Sequence, residues 1–154
     1  MVREFSSGGA VLRRRSGQWW IAVIEPARPG SASDPPNVLA LPKGNVDEGE
    51  KPLQTALREV REETGVTAEF VAKLTDIKYF YVRTWANRER VFKVVSFFLL
   101  KYKSGRLDEI APEMRKEVRR ALWMRLDEAP DKLSYRGERD VVRLAIKYLA
   151  KHEI

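Results

Sequence analysis

Glu59, Glu62 and Glu63 fall on a stretch, Lys51 to Thr64, whose apolar residues Leu53, Ala56, Leu57 and Val60 recur at helical spacing. At about 100° per residue, Leu53, Leu57, Val60 and Thr64 lie within about 40° of one direction, with Ala56 at the edge, and form the expected buried stripe. The three carboxylates share an arc on the opposite side. At about 5 Å and an effective dielectric near about 20, each pair of like charges costs about 3 kcal/mol before screening. A helix does not carry that cost for its own stability. A bound divalent cation converts the repulsion into coordination, and an all-oxygen cluster favours magnesium, manganese or calcium over zinc.

The rest of the composition narrows the chemistry further. There is no cysteine, so disulfides, thiol nucleophiles and cysteine metal sites are excluded, and His152, the only histidine, leaves no triad or histidine-based zinc site. What remains is carboxylates, hydroxyls, amines, or a metal held by oxygen. The segment 47–63 carries a net −3 in a chain of +7, which leaves +10 for the remainder. A basic body around an acidic patch suits a polyanion that arrives with divalent cations; nucleic-acid binding is the rival reading. The 154 residues and 17.8 kDa predict one domain over 1–154. No apolar run is long enough to span a membrane, and Met1 to Ser7 holds no continuous apolar stretch, which predicts a cytoplasmic protein without a signal peptide.

The elements that must position the acids can be read coarsely. Gly8–Arg14 and Gln18–Glu25 form an expected hairpin around Arg15-Ser16-Gly17. Residues 26–37 read as a loop and Val38–Leu41 as a short strand. In the Lys51–Thr64 helix, Pro52 suits the first turn and Gly65 the C-terminal cap. Strands are expected at Thr67–Leu74, Ile77–Val82 and Val91–Tyr102, with a polar connection at Trp85–Arg90, and again near Ala121–Arg125. A second helix from about Gly137 to Lys151 sets Val141, Leu144, Ala145, Tyr148 and Leu149 on one side. Two helices over a mixed sheet make an α/β sandwich.

From Gly44 the chain runs Gly44, five residues, Glu50, seven residues, then Arg58-Glu59-Val60-Arg61-Glu62-Glu63-Thr64-Gly65-Val66. At every specified position this resembles the Nudix box, G-x5-E-x7-R-E-U-x-E-E-x-G-U with U aliphatic. Gly8-Gly9-Ala10-Val11-Leu12 is similar to the family's opening strand, and Leu41-Pro42-Lys43-Gly44 to its lead into the box. The resemblance implies an α/β/α sandwich with the mixed sheet between helices. It also implies hydrolysis of a nucleoside diphosphate linked to another moiety, with Mg2+ or Mn2+ as cofactor. It gives Glu59, Glu62, Glu63 and the Gly44 carbonyl to the metal, Glu50 and Arg58 to a bracing pair, and Gly65 to the helix end. The segment Glu113 to Trp123 resembles the later region that often supplies one more glutamate; Glu117, six residues before Trp123, is the first choice and Glu113 the second. Spacing leaves open which glutamate is the general base.

Tyr79-Phe80-Tyr81, Lys93 to Leu99 and Leu133-Ser134-Tyr135-Arg136 resemble the diadenosine polyphosphate hydrolase branch. That likeness assigns Lys43 and Lys93 to phosphate and Tyr79, Tyr81 and Tyr135 to adenine stacking, with diadenosine tetraphosphate cut to ATP and AMP. The alternatives are a pyrophosphohydrolase of capped or triphosphorylated RNA ends, a diphosphoinositol polyphosphate phosphatase, a nucleoside triphosphate pyrophosphatase, and a Nudix-fold ligand sensor that does not hydrolyse. The expected partner is a small polyphosphate; oligomeric state is not readable from these residues.

Overall fold

The computed structural model describes residues 1–27, 37–83 and 88–154. β1 (Val2–Arg15) and β2 (Gln18–Pro26) form the expected antiparallel hairpin, pairing Leu12 with Ile21 and Arg15 with Gln18. Ser16 and Gly17 both take positive φ, 52° and 75°, the backbone twist that lets a two-residue turn follow the strands. β1 starts earlier than expected because most of its length pairs in parallel with β5 (Glu89–Ser104), from Val2 opposite Val91 to Leu12 opposite Lys101. β4 (Thr67–Arg83) is one long strand against β5, where two were expected; its bulges, the last between Lys73 and Thr75, absorb the break in alternation. β6 (Val118–Arg125) pairs with β2. The sheet is six-stranded and mixed, ordered β4-β5-β1-β2-β6, with β3 (Lys43–Asn45) on β1.

The short strand expected at Val38–Leu41 is not there. Only Ala40 bridges to Ile24, because the next amide, Leu41 N–H, donates to the side chain of Glu138 and Pro42 has no N–H. Pairing resumes at β3, where Lys43 lies opposite Gly8. The segment 28–36 of the expected loop and residues 85–87 of the polar connection lie outside the described residues.

α1 (Pro52–Thr64) ends where Gly65 takes a φ of 82° and donates its N–H to Arg61 O. It covers one face of the sheet, packing Ala56 and Val60 against Val11, Ala22, Phe98 and Leu100. A one-turn helix, α2 (Ala129–Lys132), and α3 (Arg136–Leu149) cover the other, where Val141, Val142 and Ala145 meet Leu12, Ile21, Val23, Phe97 and Leu99. Leu144, expected on that face, is instead exposed. The result is the expected α/β/α sandwich. Among the described residues no helix is long and apolar enough to cross a membrane.

Candidate active site

The buried flank of α1 is rotated from the apolar stripe that periodicity marks. Leu53 and Leu57 are part-exposed, whereas Thr55, Ala56, Glu59, Val60, Glu63 and Thr64 are buried. Glu59 and Glu63, expected on the open side, are only 8% and 7% exposed. β3 causes this, because it pairs with β1 and lies along the same flank of the helix. A side-chain carbon added at Gly44 would collide with the Glu59 carboxylate. Gly44 is therefore required for close approach and not for a left-handed turn, since its φ is not positive.

Arg58 organises the carboxylates. It grips Glu50 through Nε (2.7 Å) and Nη2 (2.9 Å), as the spacing implies, and also reaches Glu59 at 2.9 Å, Glu62 at 3.1 Å and the Asn45 carbonyl at 3.1 Å. This guanidinium, with help from Asp47 N–H and the Thr55 hydroxyl, holds the Glu50 carboxyl down to about 2. Glu63 is different. Its Oε1 accepts the Lys43 N–H at 2.9 Å, yet burial pushes its carboxyl up to about 8, with the charges of Glu59 and Glu117 adding to the rise. Burial raises Glu59 as well, against the pull of Arg58 and with pushes from Glu62 and Glu117.

Glu117 closes a short 3-10 turn (Pro112–Lys116) just before β6, and its carbonyl accepts Ala27 N–H at 2.8 Å. The fold thus carries it near enough to Glu59 and Glu63 for its charge to be felt by both. Glu113 lies elsewhere, with Glu62 and Arg61 along a groove of about 1090 Å3 on the outer flank of α1. Among the described residues no three acids stand close enough to grasp one ion as they are placed. Even so, the donor set is all oxygen, Glu59 and Glu63 are buried, and Arg58 faces Glu59 and Glu62 rather than Glu63, which fits a hard divalent cation.

A second feature lies on the α3 face. Lys43, Tyr79, Lys93 and Tyr135 line a cleft of about 520 Å3 together with Ile77 and Glu138. Four of the five expected substrate residues are thereby brought together. Tyr81 is not among them; its hydroxyl donates to Glu4 Oε2 at 2.7 Å and its ring centre is 6.2 Å from that of Tyr79. Lys43 Nζ is bound to Glu138 Oε2 at 2.6 Å and sits 5.3 Å from the Tyr135 ring centre. Glu138 Oε1 accepts Leu41 N–H at 2.7 Å, so this buried acid holds the lead into β3 at two points. The sequence reading missed Glu138. The available signal was its position three and four residues before Val141 and Val142, a carboxylate on an apolar stripe that must find a partner. Burial lowers the Lys93 pKa, and among the described residues no carboxylate forms an ion pair with it.

The NUDIX domain pattern matches residues 6–145. The chain belongs to the Nudix family. The segment 44–66 on β3 and α1 is then the Nudix box in its folded setting. The chain is 35% identical over 151 residues to a protein of Mycobacterium tuberculosis named for a mutator role, MutT4, covering 97% of this chain and 57% of that one. It is 36% identical over 98 residues to the asymmetrical bis(5'-nucleosyl)-tetraphosphatase of Mus musculus, covering 64% of this chain and 63% of that one. The Nudix chain thus spans somewhat over half the length of these curated relatives. Its fold is similar to that of a C. elegans Ap4A hydrolase solved as a binary complex, with a TM-score of 0.70 at 23% identity, over 97% of this chain and 99% of that chain.

Proposed function

We propose that this Nudix domain hydrolyses a phosphoanhydride in a nucleoside diphosphate linked to a second moiety, and that the preferred substrate is diadenosine tetraphosphate, cut to ATP and AMP. One observation carries the reading: Lys43 belongs to both regions, its backbone N–H on Glu63 and its side chain in the cleft with Tyr79, Lys93 and Tyr135. A ligand in the cleft therefore lies one residue from the carboxylates.

Glu59, Glu62, Glu63 and Glu117, with the Gly44 backbone, are the groups that would hold Mg2+ or Mn2+. Such a cation, when bound, neutralises phosphate charge and acidifies a coordinated water. Phosphoryl transfer asks little covalent work of the protein and mainly requires alignment. In the reaction, a water oxygen bonds to phosphorus, the bridging P–O bond breaks, and the water's proton passes to a carboxylate of this set. Arg58 keeps Glu59 and Glu62 in place while Glu50 anchors Arg58. In the cleft, Lys43 is balanced by Glu138, so Lys93 supplies the uncompensated charge for a distal phosphate. Tyr79 and Tyr135 offer ring faces to adenine, a contact that is sequence-tolerant and worth about 1 to 3 kcal/mol per base. The name of the mouse relative, an asymmetrical tetraphosphatase, supports the same reading.

The test is turnover of diadenosine tetraphosphate with magnesium in ¹⁸O-labelled water, the products being separated by ion exchange and weighed. ATP with AMP is expected; two ADP would mean a symmetric cut. Lys93→Ala should weaken selection for the long chain more than it slows turnover of a short one. If diadenosine tetraphosphate is inert while triphosphorylated RNA or a diphosphoinositol turns over, the substrate assignment falls and only the family chemistry stands.

A further inference from the structure

We propose that the sheet beyond the end of α1 binds single-stranded nucleic acid, at a site on the opposite face from the Lys43 cleft. Four adjacent strands each contribute one side chain to a cross-strand row: Tyr102 on β5, Arg13 on β1, Trp20 on β2 and Arg125 on β6. Arg13 is in register with Trp20, and Trp20 with Arg125. Leu12 is in register with Lys101, which sets Tyr102 beside Arg13, and the Arg13 guanidinium carbon lies 4.1 Å from the Tyr102 ring centre. Rings and guanidinium groups alternate along the row. One row earlier on the same face, Leu100, Val11 and Ala22 are buried under Ala56 and Val60 of α1. The helix buries that row and leaves this one part-exposed.

The part-exposed row has depth as well as pattern. Trp20 and Trp123, with Arg13 and Arg15 at the edge, line a groove of about 330 Å3. Among the described residues neither Arg13 nor Arg15 is paired with a carboxylate, whereas Arg125 is held by Asp127 at 2.8 Å. Two uncompensated guanidinium groups beside flat rings, in a chain of +7, call for an anion that also has flat rings. The Arg13 guanidinium already lies over the Tyr102 ring and 5.9 Å from the Trp123 ring centre, which leaves Trp20, beside the groove, as the platform on which an unpaired base can stack while the arginines take the phosphates. Duplex bases are already stacked on one another and cannot use the rings. An acidic peptide would use the arginines and leave Trp20 and Trp123 idle.

The 154-residue chain would be titrated into fluorescein-labelled single-stranded poly-uridine, single-stranded poly-deoxythymidine and a duplex of equal length, with anisotropy read at stepped salt. Single strands should bind with quenching of tryptophan fluorescence, more tightly than the duplex, and binding should weaken with salt. Arg13→Ala and Trp20→Ala should each weaken it at least about fivefold. Arg13→Lys, which keeps charge and loses the stacking plane, should fall between Arg13→Ala and the parent. Lys147→Ala, an exposed charge on α3, should bind as the parent does. Thermal melting checks the fold of each variant; if Trp20→Ala does not fold, Arg15→Ala at the exposed hairpin end takes its place. Absence of single-strand binding at low salt, equal affinity for the duplex, or an equal loss in Lys147→Ala would overturn the proposal. Diadenosine tetraphosphate turnover is expected to be unchanged in Arg13→Ala, so failure here and failure of the cleft reading are distinguishable.

Discussion

Two buried carboxylates grip the same short segment, 41–43, from opposite sides of the sheet, and they are partnered differently. Glu138, on α3, accepts the Leu41 N–H and the Lys43 ammonium, so its charge has a full counter-charge at 2.6 Å. Glu63, on α1, accepts among the described residues only the Lys43 N–H at 2.9 Å, and burial with two neighbouring acids lifts its carboxyl to about 8. A buried charge that is paired acts as a clasp; one that is not paired is a demand for a cation. The difference separates an acid that serves the fold from one whose burial is left uncompensated, and it is the second kind that the proposed chemistry would use.

The largest expected effect lies on the α1 side. Glu59→Gln or Glu62→Gln should lower turnover by at least about 100-fold, the range of lost metal or proton-transfer function, while urea melts show folding unchanged or improved. Chelator should abolish activity and magnesium or manganese restore it. Loss of folding in both variants would make these acids structural and erase the contrast with Glu138.

Next comes the clasp itself. Glu138→Gln keeps the shape and leaves the Lys43 ammonium without its partner, so a loss of about 2 kcal/mol in urea unfolding is expected, Lys43 being partly open to solvent. A neutral result would mean that solvent alone satisfies Lys43.

A smaller effect should appear in the pH dependence of metal-free stability. The folded-state pKa of Glu63 lies above the unfolded value of 4.5, so its contribution is fully present below about 4.5 and is lost as pH rises through about 8. Glu63→Gln should therefore gain on the parent across that window, as thermal melts in EDTA would reveal; parallel curves would show that Glu63 carries no strain. Glu50 has the opposite sign. Its folded pKa is near 2, so its contribution is present above 4.5 and fades as pH falls towards 2, and Glu50→Gln should flatten the acid limb of the same curve.

Much of this was legible in the chain and some was not, for reasons that differ by element. The Ser16-Gly17 turn, α1 with its Gly65 cap, and the Glu50–Arg58 brace all depend on neighbours close in sequence, where turn chemistry and helical spacing suffice. The expected strand at Val38–Leu41 failed because Leu41 N–H is taken by a residue 97 positions away. Tyr81 reads like Tyr79 two residues earlier, yet Glu4 draws its hydroxyl out of the cleft.

By itself the sequence determined the chemistry of the donors: oxygen ligands only, grouped on one helix, next to a lysine. That follows from composition and from a period of about 3.6 residues, both local properties. Only the tertiary structure decided which of those acids would be buried and which would find a counter-charge. β3 lies along the glutamate flank of α1, and α3 brings Glu138 to Lys43, so the electrostatics of Glu63 and Glu138 are set by strands and helices far apart in the chain. Burial and ion pairing are properties of packing, and helical periodicity carries no record of what a face will pack against.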